Sequence, residues 1–165
     1  VYADLLEARR LDEMGRMLII NDRPDIASAI DADGVHLGPD DVDVACARRV
    51  VGDEAIIGIS TNTLEQARRA TDSGADYVAL GPVFPSATKE KPRPPIGLGG
   101  LAERARITRG LPRVAIGGID AVNAPDILNA GADFVAVVSA VCRAPDPRAA
   151  TDELLAAIAG EAEEP

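Results

Sequence analysis

Short apolar segments alternate with longer amphipathic segments along the chain, and this alternation constrains the fold more than any other feature of the sequence. Because parallel strands need long crossover connections, usually helices, the pattern predicts an α/β fold with a parallel sheet. The predicted strands are residues 17–20, 34–37, 55–59, 77–80, 113–116 and 134–138. The predicted helices are residues 3–14, 24–30, 42–51, 64–73, 101–109, 124–130 and 147–159.

Three stretches of the sequence repeat one pattern: AIDADGVHLGPDD, ATDSGADYVALGPVF and ILNAGADFVAVVSAV. Each runs from the end of a predicted helix, through a turn, into an apolar strand. Repeated units of this kind favour a closed (β/α)8 TIM barrel, although an open doubly wound sheet shares the alternation. Such a barrel has eight strands, so the six predicted here leave one strand–helix–strand unit missing before Ala3. We therefore expect residues 1–165 to form a single barrel domain, incomplete at its N-terminal end.

The charge of the chain limits the partners that it can bind. Its net charge of −10 argues against a nucleic-acid surface, because such a surface needs clustered Lys and Arg. A small phosphorylated substrate remains compatible, since local N–H groups and one or two cations can hold it. No apolar stretch is long enough to span a membrane, and the first residues do not resemble a signal peptide, so a cytoplasmic protein is expected. Cys46 and Cys142 lack metal-binding spacing and are expected to be reduced, buried thiols.

Polar and small residues follow the predicted strands. In a barrel of this kind the active site lies at the carboxyl ends of the strands. The residue types found there suit an anion held by backbone N–H groups, with a hard cation between phosphates and carboxylates. These candidates are Asn21, Asp22, Asp41, Ser60, Ser86, Thr88, Lys89, Gly117, Gly118 and Ser139.

The most specific pair of motifs is VAIGGI followed by VAVVSA. Gly117 and Gly118 would let the backbone approach a ligand closely, and Ser139 would begin a short helix whose N-terminus attracts phosphate. The loops after the last two strands are the usual phosphate site of such barrels. The simpler alternative is that the two glycines only make a tight turn.

Two aspartates and one lysine are candidates for holding a pyrophosphate. Asp22 and Asp41 follow adjacent predicted strands, so both can face one Mg²⁺, although each could equally be a helix N-cap. Lys89 is one of only two lysines and suits a pyrophosphate, and its alternative is a solvated loop lysine.

His36, the sole histidine, lies within an apolar strand, where a packed and hydrogen-bonded ring is expected rather than a catalytic base. No Ser–His–Asp triad is expected.

Five segments, in order and covering nearly the whole chain, resemble the thiamine phosphate synthase family, also called thiamine-phosphate pyrophosphorylase, of the synthase/thiazole tautomerase superfamily. They are LIINDRPDIASAIDADGVHLGPDD, IIGISTNT, GADYVALGPVFPSATK, VAIGGI and GADFVAVVSA. The resemblance implies a (β/α)8 barrel and an Mg²⁺-dependent transferase of thiamine biosynthesis. Its reaction joins hydroxymethylpyrimidine pyrophosphate to thiazole phosphate and releases pyrophosphate.

The resemblance also implies a role for each candidate residue. Asp22 and Asp41 would hold Mg²⁺ against the pyrophosphate. Ser60 and Lys89 would act in catalysis by binding the pyrophosphate and supporting it as it leaves. The remaining substrate contacts would be Asn21, Ser86 and Thr88 to the pyrophosphate, with Gly117, Gly118, Val138 and Ser139 around the thiazole phosphate.

The sequence departs from the family pattern in three places. The pyrimidine-contacting segment of the QLR type, expected on the second strand, is not in this chain. Ser86 stands where the family often has Thr, and Asn62 where a His is frequent. A thiazole tautomerase-like isomerase is a rival interpretation, which Asn62 disfavours because that activity is associated with the histidine. A non-catalytic phosphate-binding fragment is the other alternative, and the sequence predicts no oligomeric state.

Overall fold

A computed structural model describes residues 15–85 and 93–160 of the chain. Strands and helices alternate up to the last strand, which two helices follow. The strands are β1 (Ile19–Asn21), β2 (Gly34–Leu37), β3 (Ile56–Thr61), β4 (Tyr77–Leu80), β5 (Arg113–Ile116) and β6 (Phe134–Ala136). The helices are α1 (Pro24–Ala29), α2 (Val44–Val51), α3 (Leu64–Ala70), α4 (Gly97–Ile107), α5 (Ala124–Asn129), α6 (Ser139–Cys142) and α7 (Pro147–Ala159).

All six strands join one parallel sheet, in the order of the chain from β1 to β6. Four strand spacings separate β2 from β6, which would be about 19 Å in a flat sheet. His36 on β2 and Ala136 on β6 nevertheless line one cavity of about 180 Å³. The sheet therefore curls into a half-barrel, which confirms the predicted parallel α/β fold. Closure with eight strands stays a prediction, and the predicted helix at residues 3–14 lies outside the described residues.

The two faces of the sheet differ in chemistry. On the outer face, branched and aliphatic side chains pack beneath the helices in two clusters, and Val35, Ile57 and Val78 have no exposed surface. Each such side chain contributes roughly 1.5–3 kcal/mol through burial. The inner face carries glycine, alanine, serine and the histidine near the carboxyl ends of the strands. The outer face thus holds the sheet to its helices, and the inner face remains for a ligand.

A repeated aspartate fastens the strands at the end of the sheet opposite the cavity. Asp33, Asp76 and Asp133 each stand immediately before a strand and accept a backbone N–H from the start of the preceding strand or from the residue just before it. The donors are Leu18 N to Asp33 Oδ2 (2.6 Å), Ile57 N to Asp76 Oδ2 (2.8 Å) and Arg113 N to Asp133 Oδ2 (2.8 Å). The Asp of the sequence repeat is therefore a structural residue that fixes neighbouring strands.

Two helices begin at residues other than those predicted, and for α2 the cause is a side-chain cap. Asp43 accepts the Cys46 N–H at 2.6 Å, so α2 begins at Val44 rather than at residue 42. Helix α4 begins at Gly97, four residues before the predicted start.

Both cysteines are free, but Cys46 is only half-buried and Cys142 is exposed, so the prediction of buried thiols is wrong. Across residues 15–85 and 93–160, none of the helices is long and apolar enough to cross a membrane.

Candidate functional site

A cavity of about 180 Å³ opens at the carboxyl ends of β2 to β6. It brings together five of the residues that the sequence singled out, from three different strand ends. These are Ser60 on β3, Gly117 and Gly118 after β5, and Val138 and Ser139 after β6. Parallel strands bring their carboxyl ends to one edge, so residues that are distant in the chain meet there.

The other predicted residues lie beside the cavity or outside the described ranges. Asn21 ends β1, is exposed, and pairs in register with His36 on β2. Asp22 follows it, and its backbone N–H donates to the His36 carbonyl at 2.8 Å. The predicted contacts Ser86, Thr88 and Lys89 lie outside the described residues, so their roles stay predictions.

Neither predicted metal ligand caps a helix, so that alternative is wrong. The N-cap of α1 is Arg23, and the N-cap of α2 is Asp43. Asp22 instead has a left-handed backbone with φ of 65°, a conformation that Asp tolerates better than most residues. Asp41 accepts the Gly38 N–H at 2.6 Å through Oδ2. Both carboxylates are exposed at the ends of adjacent strands.

The donor set of these two aspartates fits Mg²⁺. Among the described residues, no group of three or more His, Cys, Asp or Glu side chains could hold a metal ion. Mg²⁺ does not require such a group, because it binds through one or two carboxylates and completes its shell with water and phosphate oxygens. Asp22 and Asp41 are hard oxygen donors at strand ends that neighbour each other in the sheet, which suits this mode of binding.

The two glycines serve the packing of the fold as well as the cavity wall. Gly117 has φ of 103° and Gly118 has φ of 67°, both unfavourable for other residues. A Cβ atom on Gly117 would lie 2.6 Å from Pro82 Cβ, and one on Gly118 would lie 2.7 Å from the Pro85 carbonyl oxygen. The two glycines therefore do make a tight turn, as the simpler alternative held. They also line the cavity, which that alternative did not include.

Ser139 begins the short helix α6, as predicted. Val138 is its N-cap residue and supplies no side-chain cap. The first N–H groups of a helix have no carbonyl partner within it, and Ser139, the first residue of α6, lines the cavity. With only four residues in α6, these individual N–H groups matter more than the dipole of the helix.

A chain of three side chains crosses the inner face of the sheet. His36 Nε2 lies 2.8 Å from Ser60 Oγ, and His36 Nδ1 lies 2.9 Å from the Tyr77 hydroxyl. The prediction of a packed, hydrogen-bonded histidine is confirmed. Its place in the cavity lining, next to a predicted catalytic residue, is a finding that the sequence reasoning missed. Gly58, a glycine within an apolar strand, was the available signal, because such glycines mark a close approach.

Arg93 is the second residue that the sequence reasoning missed. Among the described residues, it is the only Arg or Lys in the cavity lining. Its guanidinium lies 3.7 Å from the Asp40 carboxylate, which is 94% exposed. An ion pair of that length and exposure is weak, so the guanidinium can turn to an anionic ligand at little cost. Nothing in the spacing of the motifs points to this residue.

Comparison with known proteins agrees with this arrangement. A family model described as thiamine monophosphate synthase matches residues 4–141. The chain is 52% identical over 152 residues to the thiamine-phosphate synthase of Roseiflexus sp. strain RS-1, covering 92% of this chain and 64% of that protein. It is 48% identical over 139 residues to the thiamine-phosphate synthase of Chlorobium phaeovibrioides, covering 84% of this chain and 66% of that protein.

A solved structure gives the same result for the fold. The thiamine phosphate pyrophosphorylase of Pyrococcus furiosus superposes with a TM-score of 0.85 at 38% identity, covering 98% of this chain and 79% of that chain. The present chain thus spans just under two thirds of the length of the two curated relatives described above. The matched residues include every strand of the half-barrel and the residues lining its cavity. The chain therefore belongs to the thiamine monophosphate synthase family.

Proposed function

We propose that this half-barrel is the phosphate-binding part of a (β/α)8 thiamine phosphate synthase that acts in the cytoplasm. The enzyme would join hydroxymethylpyrimidine pyrophosphate to thiazole phosphate and release pyrophosphate. The observation that supports this most directly is the shared cavity of Ser60, Gly118 and Ser139 in a chain of this family. It offers hydroxyl and backbone N–H donors at the edge where two phosphorylated substrates would meet.

The thiazole phosphate would bind between the ends of β5 and β6. Gly117 and Gly118 keep side chains out of this wall, and Ser139 contributes a hydroxyl and the N-terminus of α6. Val138 is partly exposed beside them and would contact the thiazole ring. Arg93 adds one positive charge to an otherwise neutral group of donors, which suits a phosphate dianion.

The pyrophosphate would bind on the side of β1 to β3. Asp22 and Asp41 would hold Mg²⁺, which when bound supplies positive charge against the pyrophosphate oxygens. Asn21 lies directly before Asp22 at the same strand end and would contact the same group. Ser60 and Lys89 would support the departing pyrophosphate, Lys89 through its ammonium charge. Ser86 and Thr88 would donate hydroxyl hydrogen bonds to the same oxygens.

The reaction would need positioning and charge rather than a strong base. The bond between the pyrimidine methylene carbon and the pyrophosphate oxygen breaks, and its electron pair leaves with the pyrophosphate. The thiazole nitrogen then gives its lone pair to the methylene carbon and forms the new carbon–nitrogen bond. No proton is removed from the reacting atoms, so residues that hold two substrates close and stabilise the leaving charge would suffice.

Pyrophosphate release by the full-length protein, measured with both substrates and Mg²⁺, tests the proposal. We expect release only with both substrates, and a large loss of turnover in Asp22→Asn and Asp41→Asn. Asp31→Asn is the matched control, because Asp31 is also left-handed, with φ of 55°, but precedes β2 at the far end of the sheet. Mg²⁺-dependent turnover at the wild-type rate in both site variants would refute the metal assignment. Isomerisation of the thiazole phosphate, without pyrophosphate release, would indicate the isomerase instead.

A further inference from the structure

His36, Ser60 and Tyr77 lie on three adjacent strands and share the inner face of the sheet. The register pairs His36 with Gly58, and Gly58 with Tyr77. A Cβ atom at residue 58 would overlap with the Tyr77 ring, so Gly58 leaves the space through which that ring reaches His36. The two rings stack with centroids 5.5 Å apart. Ser60 is two residues beyond Gly58 on the same face, at the cavity wall.

The proton positions along this chain follow from the environment of Tyr77. Burial raises the pKa of the Tyr77 phenol, so the group is neutral and has a proton to donate. Within the described part of the chain, the single hydrogen-bond partner of that hydroxyl is His36 Nδ1, at 2.9 Å. A half-buried hydroxyl proton needs an acceptor, and Nδ1 can accept only when it carries no proton.

The protonation of Nδ1 determines where the protons lie on Nε2 and on Ser60. In a neutral imidazole with Nδ1 unprotonated, Nε2 carries the proton. Nε2 therefore donates to Ser60 Oγ, 2.8 Å away. Because that bond occupies a lone pair of the serine oxygen, the Ser60 proton is left to point into the cavity that Ser60 lines.

We propose that Tyr77 and His36 are positioning residues that fix the Ser60 hydroxyl as a hydrogen-bond donor to an acceptor atom of the ligand. The inference rests on the proposed function for the identity of that ligand. A pyrophosphate oxygen fits the requirement, because it can accept hydrogen bonds and has no proton to give when ionised. If these hydrogen bonds ran in the opposite direction, Ser60 would donate its proton to His36. The lone pairs of the serine oxygen would then face the anion and repel it.

Nitrogen NMR of the imidazole tests the proton positions without any assay of activity. His36 is the only histidine of the chain, so one pair of ring nitrogen signals reports it. At a pH well above about 6.5, the ordinary His pKa, we expect Nε2 protonated and Nδ1 unprotonated. Tyr77→Phe removes the donor and should shift the ring toward a mixture of tautomers. A wild-type ring protonated at Nδ1 would overturn the proposal.

A double-mutant cycle in the full-length protein tests the role of the chain in the reaction. We expect Tyr77→Phe to lower kcat about tenfold, the size of one ordinary hydrogen bond, with little change in KM. The loss should nearly vanish when Ser60→Ala is already present, because Tyr77 acts only through Ser60. Independent, fully additive losses would refute the positioning role.

Thr108→Val is the matched control. Thr108 is fully buried, and its hydroxyl donates to the Arg104 carbonyl at 2.9 Å in α4, away from the cavity. It should lower stability as much as Tyr77→Phe does and leave kcat unchanged. An equal loss of kcat in Thr108→Val would mean that Tyr77 acts through stability alone. If the wild-type protein does not join the two substrates, the proposed function fails. The NMR result still decides the direction of the hydrogen bonds from Tyr77 to Ser60.

Discussion

Gly117→Ala should destabilise the protein far more than a surface glycine substitution, through two separate physical effects. The first is backbone strain, because a φ of 103° is unfavourable for any residue with a Cβ atom and adds about 1–3 kcal/mol. The second is overlap, because that Cβ atom would lie 2.6 Å from Pro82 Cβ and 2.7 Å from Pro82 Cα. These atoms belong to a ring and the main chain, so they cannot rotate away as a flexible side chain would.

Gly74→Ala separates the two effects. Gly74 also has a positive φ, 79°, but an added Cβ atom there would meet nothing within 4 Å. It should lose only the strain energy of a left-handed backbone, about 1–2 kcal/mol. Overpacking adds a further 1–3 kcal/mol or so in Gly117→Ala. The difference between the two variants therefore measures the overlap with Pro82.

Urea and thermal unfolding of the full-length variants provide the measurement. A difference of 1 kcal/mol corresponds to about 2–4 °C in Tm for a protein of this size. We expect Gly117→Ala to unfold several degrees below Gly74→Ala, and to lose binding of the thiazole phosphate because the cavity wall moves. Equal unfolding midpoints would show that the loop at Pro82 yields freely, and the packing argument for this glycine would then be wrong.

Three further perturbations test other parts of the structure. The hydrogen bonds from Arg113 lower the pKa of Asp133, so their stabilisation is present above pH of about 4 and is lost as pH falls through the lowered value. Asp133→Asn should therefore be less stable than wild type at neutral pH in urea unfolding, and this difference should shrink in acid. Arg93→Gln should weaken binding of the thiazole phosphate in calorimetry by about tenfold or more, whereas Arg106→Gln on the exposed end of α4 should not. Thr63→Ala removes the capping box of α3 and should lower the free energy of unfolding by about 1 kcal/mol.

The positions of the strands could be predicted from the sequence because each strand is a short apolar run bounded by Asp, Gly or polar residues. Helix starts were harder, as α4 illustrates. Its first turn contains three glycines, which have low helix propensity, and yet the helix begins at Gly97. There the Gly97 N–H donates to the Val83 carbonyl at 2.9 Å, a tertiary bond that propensity does not report.

Site residues that lie at the end of a strand could be predicted from the sequence. Those that depend on a hydrogen bond to another strand could not. Ser60 and Ser139 follow apolar runs, so parallel topology alone brings them to one edge. Tyr77 is 41 residues away from its partner His36 along the chain, and the hydrogen bonds of the repeated aspartates join residues 15 to 20 apart. Long-range pairs of this kind depend on strand register, which a single sequence does not fix.

The depth of the cavity follows from the size of the inward-facing residues along each strand. A filled barrel interior carries bulky branched side chains in every layer. Here the positions nearest the carboxyl ends are small, with Ala79, Gly81 and Ala136 lining the cavity. One layer below, the Tyr77 ring occupies the space above Gly58 and stacks against His36, which lines the cavity. The same glycine therefore lets the Tyr77 hydroxyl reach the histidine that contacts Ser60, so the small residue on β3 supports the hydrogen bonds at the cavity wall.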